Sequence, residues 1–123
     1  MVEEFIEKEH EKLVRILKSY LEKDGYVVKI KPETNEYAGV KADMEATKGK
    51  EVLCIEVING KEINTSETKK KWEAISGNRE SDFSLFVTKE KEEQVKKLLE
   101  EWAIYFRKIW TYNSKAIWFL FEK

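Results

Sequence analysis

Residues 41–61 read KADMEATKGKEVLCIEVINGK. Two apolar segments flank Lys48-Gly49-Lys50, and each carries a carboxylate near its middle, Asp43 in the first and Glu56 in the second. Strands are depleted in acidic residues, and buried strands most of all, so two acids in neighbouring strands need a physical reason. VKADMEA (40–46) and EVLCIEVI (51–58) read as strands, and the glycine-containing turn joins them most simply as a hairpin. Side chains alternate along a strand. Leu53, Ile55 and Val57 then share the expected core face of the second strand, while Glu56 points the other way with Cys54 and Ile58. In the first strand Val40, Ala42, Met44 and Ala46 form an apolar face, and Lys41, Asp43 and Glu45 a polar one. Paired as a hairpin, the two strands place Asp43 and Glu56 side by side.

Working outward, residues 3–23 predict a helix. Ile6, His10, Leu13, Val14, Leu17, Tyr20 and Leu21 recur at spacings of three and four, and Gly25 suits the left-handed position beyond the end. YVVKIK (26–31) reads as a strand, followed by a polar loop over residues 32–39. After a loop over residues 59–65, Ser66 to Ser76 reads as a helix with Thr65 or Ser66 as N-cap and Gly77 beyond its end. FSLFV (83–87) is a short apolar strand. Thr88 suits the N-cap of a further helix, in which Val95, Leu98, Leu99, Trp102 and Phe106 recur at helical spacing. IWTY and KAIWFLFE, separated by Asn113-Ser114, read as a terminal hairpin. The order α-β-β-β-α-β-α-β-β predicts one α/β domain, a mixed sheet flanked by helices.

The composition narrows the function classes. A chain of 123 residues has the size of one domain and can bury a core without a staple. Charged residues make up 38% and nearly cancel at net −1, which argues against a disordered polyelectrolyte and against a strongly basic nucleic-acid binder. Cys54 is the single cysteine, so no internal disulfide forms. No stretch approaches 18 apolar residues, and the first ten residues are acidic rather than signal-like. A soluble, cytoplasmic protein is the expectation.

Two carboxylates a few ångströms apart repel unless one takes a proton or a cation sits between them. A hard divalent ion such as Mg²⁺ or Mn²⁺ is the natural guest for oxygen ligands. The competing reading is a solvated sheet face on which Lys41 simply pairs with Glu56 across the strands.

A helix ending in DGYVVKI, a strand bearing Asp43, a turn with glycine and then KEVLCIEV together resemble the PD-(D/E)xK, or restriction-endonuclease-like, nuclease superfamily, archaeal Holliday-junction resolvases among them. The resemblance spans residues 3–88 and is strongest at KEVLCIEV. It implies a restriction-endonuclease-like fold and a metal-dependent endonuclease hydrolysing phosphodiester bonds, most simply in DNA. It further implies that Asp43 and Glu56 bind Mg²⁺ or Mn²⁺, that the Val57 carbonyl completes the metal's shell, and that a glutamate of the first helix, Glu11 rather than Glu7, assists. A homodimer spanning the duplex, with the C-terminal aromatic hairpin as its interface, belongs to the same expectation.

The sequence departs from the motif at two positions. Ala42 stands where proline precedes the first acid, and Ile58 stands where the motif places its lysine. That lysine orients the attacking water and offsets charge on the pentavalent phosphate, which isoleucine cannot do. Either the lysine has moved or the site has decayed into a nucleic-acid-binding or assembly module. Lys41, Lys61 and the run Lys69, Lys70 and Lys71 are the substitutes. Trp72 marks the buried face of their helix, so Lys71 is favoured, then Lys41.

Other residues offer less. His10 is the only histidine, too little for zinc or Ser-His chemistry, and beside Leu13 and Val14 it reads as a packing residue. Cys54 reads as core filler. INGKEINTSE lacks the spacing of a phosphate-binding loop. The aromatic tail, with Arg107, Lys108 and Lys115 interspersed, reads as core or dimer interface rather than a base-stacking surface.

Overall fold

Eight residues, Glu51–Ile58, form the middle of a mixed sheet of six strands among the described residues, and from Leu53 to Ile58 their apolar side chains are buried on both faces. The computed structural model describes residues 2–31, 41–113 and 116–122. They form α1 (Val2–Lys23), β1 (Val27–Ile30), β2 (Met44–Lys48), β3 (Glu51–Ile58), α2 (Ser66–Ser76), β4 (Asp82–Thr88), α3 (Glu92–Glu101), β5 (Lys108–Tyr112) and β6 (Ile117–Glu122). The strands lie in chain order across the sheet. β1, β2 and β3 are antiparallel, β3, β4 and β5 are parallel, and β6 returns antiparallel to β5. The chain is a small α/β domain with three α-helices among the described residues.

Both parallel connections run in one direction along the sheet, so the handedness rule puts α2 and α3 on the same face. There Trp72, Ile75, Val95, Leu98 and Leu99 meet Cys54, Ile58, Phe83, Leu85 and Val87. On the other face Leu13, Val14, Leu17 and Leu21 of α1 meet Met44, Leu53, Ile55, Val57 and Phe86. Strands covered on both sides carry apolar residues on both sides. The single core face expected for β3 is therefore replaced by two. The Tyr26 hydroxyl donates to Glu51, and Lys108 Nζ donates to that hydroxyl at 3.0 Å. These bonds tie together the starts of β1, β3 and β5.

The turns follow local chemistry. α1 closes with Tyr26 N–H donating to Leu21 C=O and Gly25 N–H to Glu22 C=O, and Gly25 takes the left-handed position at φ +96°. Gly49, at φ +61°, opens the two-residue loop between β2 and β3. Thr65 caps α2 by accepting from Thr68 N–H.

Four expectations shift. β2 begins at Met44, not residue 40, because the chain bends at Asp43. Alternation therefore stops there, and Ala42 packs on the α2–α3 side while Met44 and Ala46 pack on the α1 side. β1 is shorter than expected at both ends. Thr88 makes no side-chain cap; a 3₁₀ turn over Lys89–Lys91 precedes α3. α3 stops at Glu101, short of Phe106, because Ala103 turns left-handed at φ +51° and Ile104 N–H reaches back to Leu99 C=O. The expected loop over residues 32–39, the strand start at Val40, and Ser114 and Lys115 of the terminal hairpin lie outside the described residues.

Ala103 occupies a helix-ending position that glycine fills without Cβ strain. Ala103→Gly is expected to stabilise the fold by about 1 kcal/mol, since the left-handed conformation costs an L-residue roughly that much. The urea midpoint should rise with an unchanged m-value.

Candidate active site

The site forms where β2 parts from β3. Met44 pairs with Ile55, so Asp43 stands opposite Glu56, one step beyond the ladder. The two acids complete that step with crossed bonds. Asp43 N–H donates to Glu56 Oε2 at 3.0 Å, and Val57 N–H donates to Asp43 Oδ2 at 2.8 Å. Two nitrogen donors approach from the flanking helices. His10 Nε2 of α1 lies 3.3 Å from Asp43 Oδ2, and Lys71 Nζ of α2 lies 2.9 Å from Glu56 Oε1. Glu56 faces the α2 side of the sheet, together with Cys54 and Ile58, which is why α2 supplies its partner.

These groups line a cavity of about 550 Å³ between the N-terminal halves of α1 and α2. Ile58, Ile63 and Trp72 give it apolar walls, while Glu7, Glu11, Glu62 and Glu67 contribute exposed carboxylates. Asn59, just past β3, donates from Nδ2 to the Ile6 carbonyl at 2.9 Å and to Glu9 at 3.0 Å. That fork fixes the first turns of α1 against the strand end. In open α/β sheets, ligands bind beyond the carboxyl ends of the parallel strands, and this cavity lies beyond the carboxyl end of β3.

The electrostatics follow from burial and from these pairs. Burial, then repulsion from Asp43, pushes the Glu56 carboxyl up to about 8, against the pull of Lys71 and the Asp43 N–H. Burial also works to raise Asp43, but the His10 hydrogen bond and charge, the Val57 N–H and Lys71 outweigh it and hold Asp43 below the usual carboxylate range. The hydrogen bond to Asp43 raises His10 despite burial. Burial lowers Lys71, and attraction to Glu56 more than restores it, leaving the ammonium raised. One acid thus stays ionised while its neighbour holds a proton far more tightly, the division seen wherever two carboxylates crowd one site.

Asp43, Glu56, Val57, Lys71 and Glu11 all line the cavity, as do Glu7 and Lys61. Lys41 is exposed and outside the lining, because the bend at Asp43 ends the alternation that put it on the Asp43 face. Lys69 and Lys70 are exposed and also outside. His10 is the residue that sequence reasoning missed. Its signal was a polar side chain inside the apolar stripe of α1, one helical turn from Ile6 and from Leu13.

Among the described residues no three His, Cys, Asp or Glu side chains gather into a metal-holding group. The donor set on hand is two carboxylates and one carbonyl. In a strand the N–H and C=O of one residue point to the same neighbour, so the Val57 carbonyl faces the side on which its N–H meets Asp43. Such a set suits Mg²⁺, which keeps several waters and takes one or two carboxylates. Among the described residues no helix is long and apolar enough to cross a membrane. No family model matches the chain, and the comparisons with curated proteins and with solved structures return no match either.

Proposed function

We propose that the chain is a metal-dependent nuclease of restriction-endonuclease-like fold, hydrolysing phosphodiester bonds, with DNA as the first substrate to test. One observation carries the reading. The Lys71 ammonium stands 2.9 Å from Glu56, beside Asp43, and so offers from α2 the cation that Ile58 cannot offer from β3. Asp43, Glu56 and the Val57 carbonyl hold Mg²⁺ or Mn²⁺. The ion, when bound, supplies Lewis acidity toward a phosphate oxygen and lowers the pKa of a coordinated water. Lys71 would orient the attacking water toward phosphorus and offset the charge that gathers there; the new P–O bond would form as the ester P–O bond breaks, with the water's proton passing through solvent to the leaving oxygen. Glu11 and Glu7 draw cations toward the cavity mouth. The acidic rim also repels bare phosphate, so substrate binding depends on the metal. β6 is an edge strand with Trp118 57% and Phe119 50% exposed, which supports a homodimer through the C-terminal hairpin.

Calorimetry with Mg²⁺ and Mn²⁺, with plasmid nicking followed in the same samples, tests the reading. Asp43→Ala and Glu56→Ala are each expected to abolish ion binding and to cut nicking at least about 100-fold. Equal ion binding in wild type and both variants would remove the shared site.

The second reading is a non-catalytic module of the same fold. It is favoured by the pairing itself, since His10 and Lys71 already engage the two acids without a metal. Ion binding without nicking on duplex, single-stranded or junction DNA would select it.

A further inference from the structure

Four carboxylate oxygens meet in the site, and the described residues engage three of them. Glu56 Oε1 accepts from Lys71, and Glu56 Oε2 from the Asp43 N–H. Asp43 Oδ2 takes two donors, the Val57 N–H at 2.8 Å and His10 Nε2 at 3.3 Å. Asp43 Oδ1 takes no donor from the described residues, which makes it the oxygen open to a cation. The two donors on Oδ2 come from independent elements, the backbone of β3 and a side chain of α1. Together they set the rotation of the carboxyl group.

The turn that carries His10 is itself fixed, because Asn59 grips Ile6 C=O and Glu9. His10 is partly buried within the cavity lining, and the ionised Asp43 can only accept, so the imidazole is the donor. Neutral and protonated imidazole can both supply that N–H.

We propose that His10 is a positioning residue for the cation site: with the Val57 N–H it holds Asp43 Oδ2, so that Oδ1 is presented to the metal. This rests on the metal-site reading above. Residues that orient a metal ligand without touching the metal set its affinity by roughly 10-fold to 100-fold.

The test uses Mn²⁺ affinity, read from the free-ion paramagnetic resonance signal, in wild type, His10→Ala and His10→Gln. Glutamine keeps an N–H donor at similar reach without an imidazole. His10→Ala is expected to weaken Mn²⁺ binding roughly 10-fold or more, and His10→Gln to recover most of the loss. A second measurement needs no variant at His10. With one histidine in the chain, ¹⁵N-histidine labelling gives a single imidazole, and Mg²⁺ should shift its resonances in wild type but not in Asp43→Asn. Wild-type affinity in His10→Ala, or a Gln variant as weak as the Ala variant, would overturn the positioning role and leave the metal site standing. Imidazole resonances indifferent to Mg²⁺ in a wild type that binds Mn²⁺ would overturn it too. A wild type that binds no Mn²⁺ would overturn both readings together.

Discussion

Lys71→Ala should lower the nicking rate by about 10²–10³-fold, the loss that follows removal of one well-placed charge-stabilising donor. The metal affinity should hold or tighten, because the variant removes a cation that competes for Glu56 Oε1. That split separates Lys71 from the proposed ligands Asp43 and Glu56, whose loss should remove binding and turnover together. Lys71→Arg should recover little. A guanidinium keeps the charge, but its planar fork does not match a site built for a point charge. The helix itself should survive, since Lys71 is only half-buried while its neighbour Trp72 is the anchor, packed against Phe83 and Trp102 at ring separations of 5.9 and 5.5 Å. Nicking by Lys71→Ala at the wild-type rate would remove the lysine from the mechanism.

In the absence of divalent ions, stability should fall as pH rises from about 5 to 8, with a slope approaching 1.4 kcal/mol per pH unit from one proton. The sign comes from Glu56, whose carboxyl is raised from 4.5 to about 8 in the folded chain. Below 4.5 both states carry the proton and nothing is lost. Between the two values only the folded state keeps it, so each step up in pH favours unfolding. His10 acts in the same direction, because the added stabilisation that Asp43 gives its protonated form is fully present below 6.5 and is lost as pH climbs through its raised value. Asp43 has the opposite sign but titrates below its ordinary 3.8, outside the window. Urea unfolding at pH 5, 6, 7 and 8 reads the slope directly. Glu56→Gln should flatten most of it and leave the variant more stable than wild type at pH 8. Saturating Mg²⁺ should restore wild-type stability there by binding the folded state alone. A flat profile for the wild type would mean that Glu56 is ionised throughout.

The hairpin at Gly49, the ending of α1 at Gly25 and the opposition of Asp43 to Glu56 were legible because each depends on residues close in sequence. The position of Lys71 beside Glu56 was legible for a related reason: Trp72 had to face the sheet, and the residue before it flanks that face. What escaped depends on the third dimension. Alternation in β3 points to one core face only because Glu56 marks the other as polar, whereas Cys54 and Ile58 beside it belong to a second core cluster under α2 and α3. Lys41 was placed by extending a period of two through a bend at Asp43 that the local sequence does not announce. His10 looked like packing because its partner lies 33 positions away. Helical spacing extends α3 to Phe106 because Trp102 and Phe106 do pack on the same core cluster, reached through a left-handed alanine rather than another helical turn.

The strand order has a consequence for how the chain is made. Because spatial order equals chain order, each new strand emerging during synthesis finds its neighbour already waiting at the growing edge. No early strand must be held open for a late one. Every described residue lining the cavity falls between Ile6 and Trp72. These lining residues are therefore present once α2 has been made, and the segments that follow serve as the buttress laid against finished masonry.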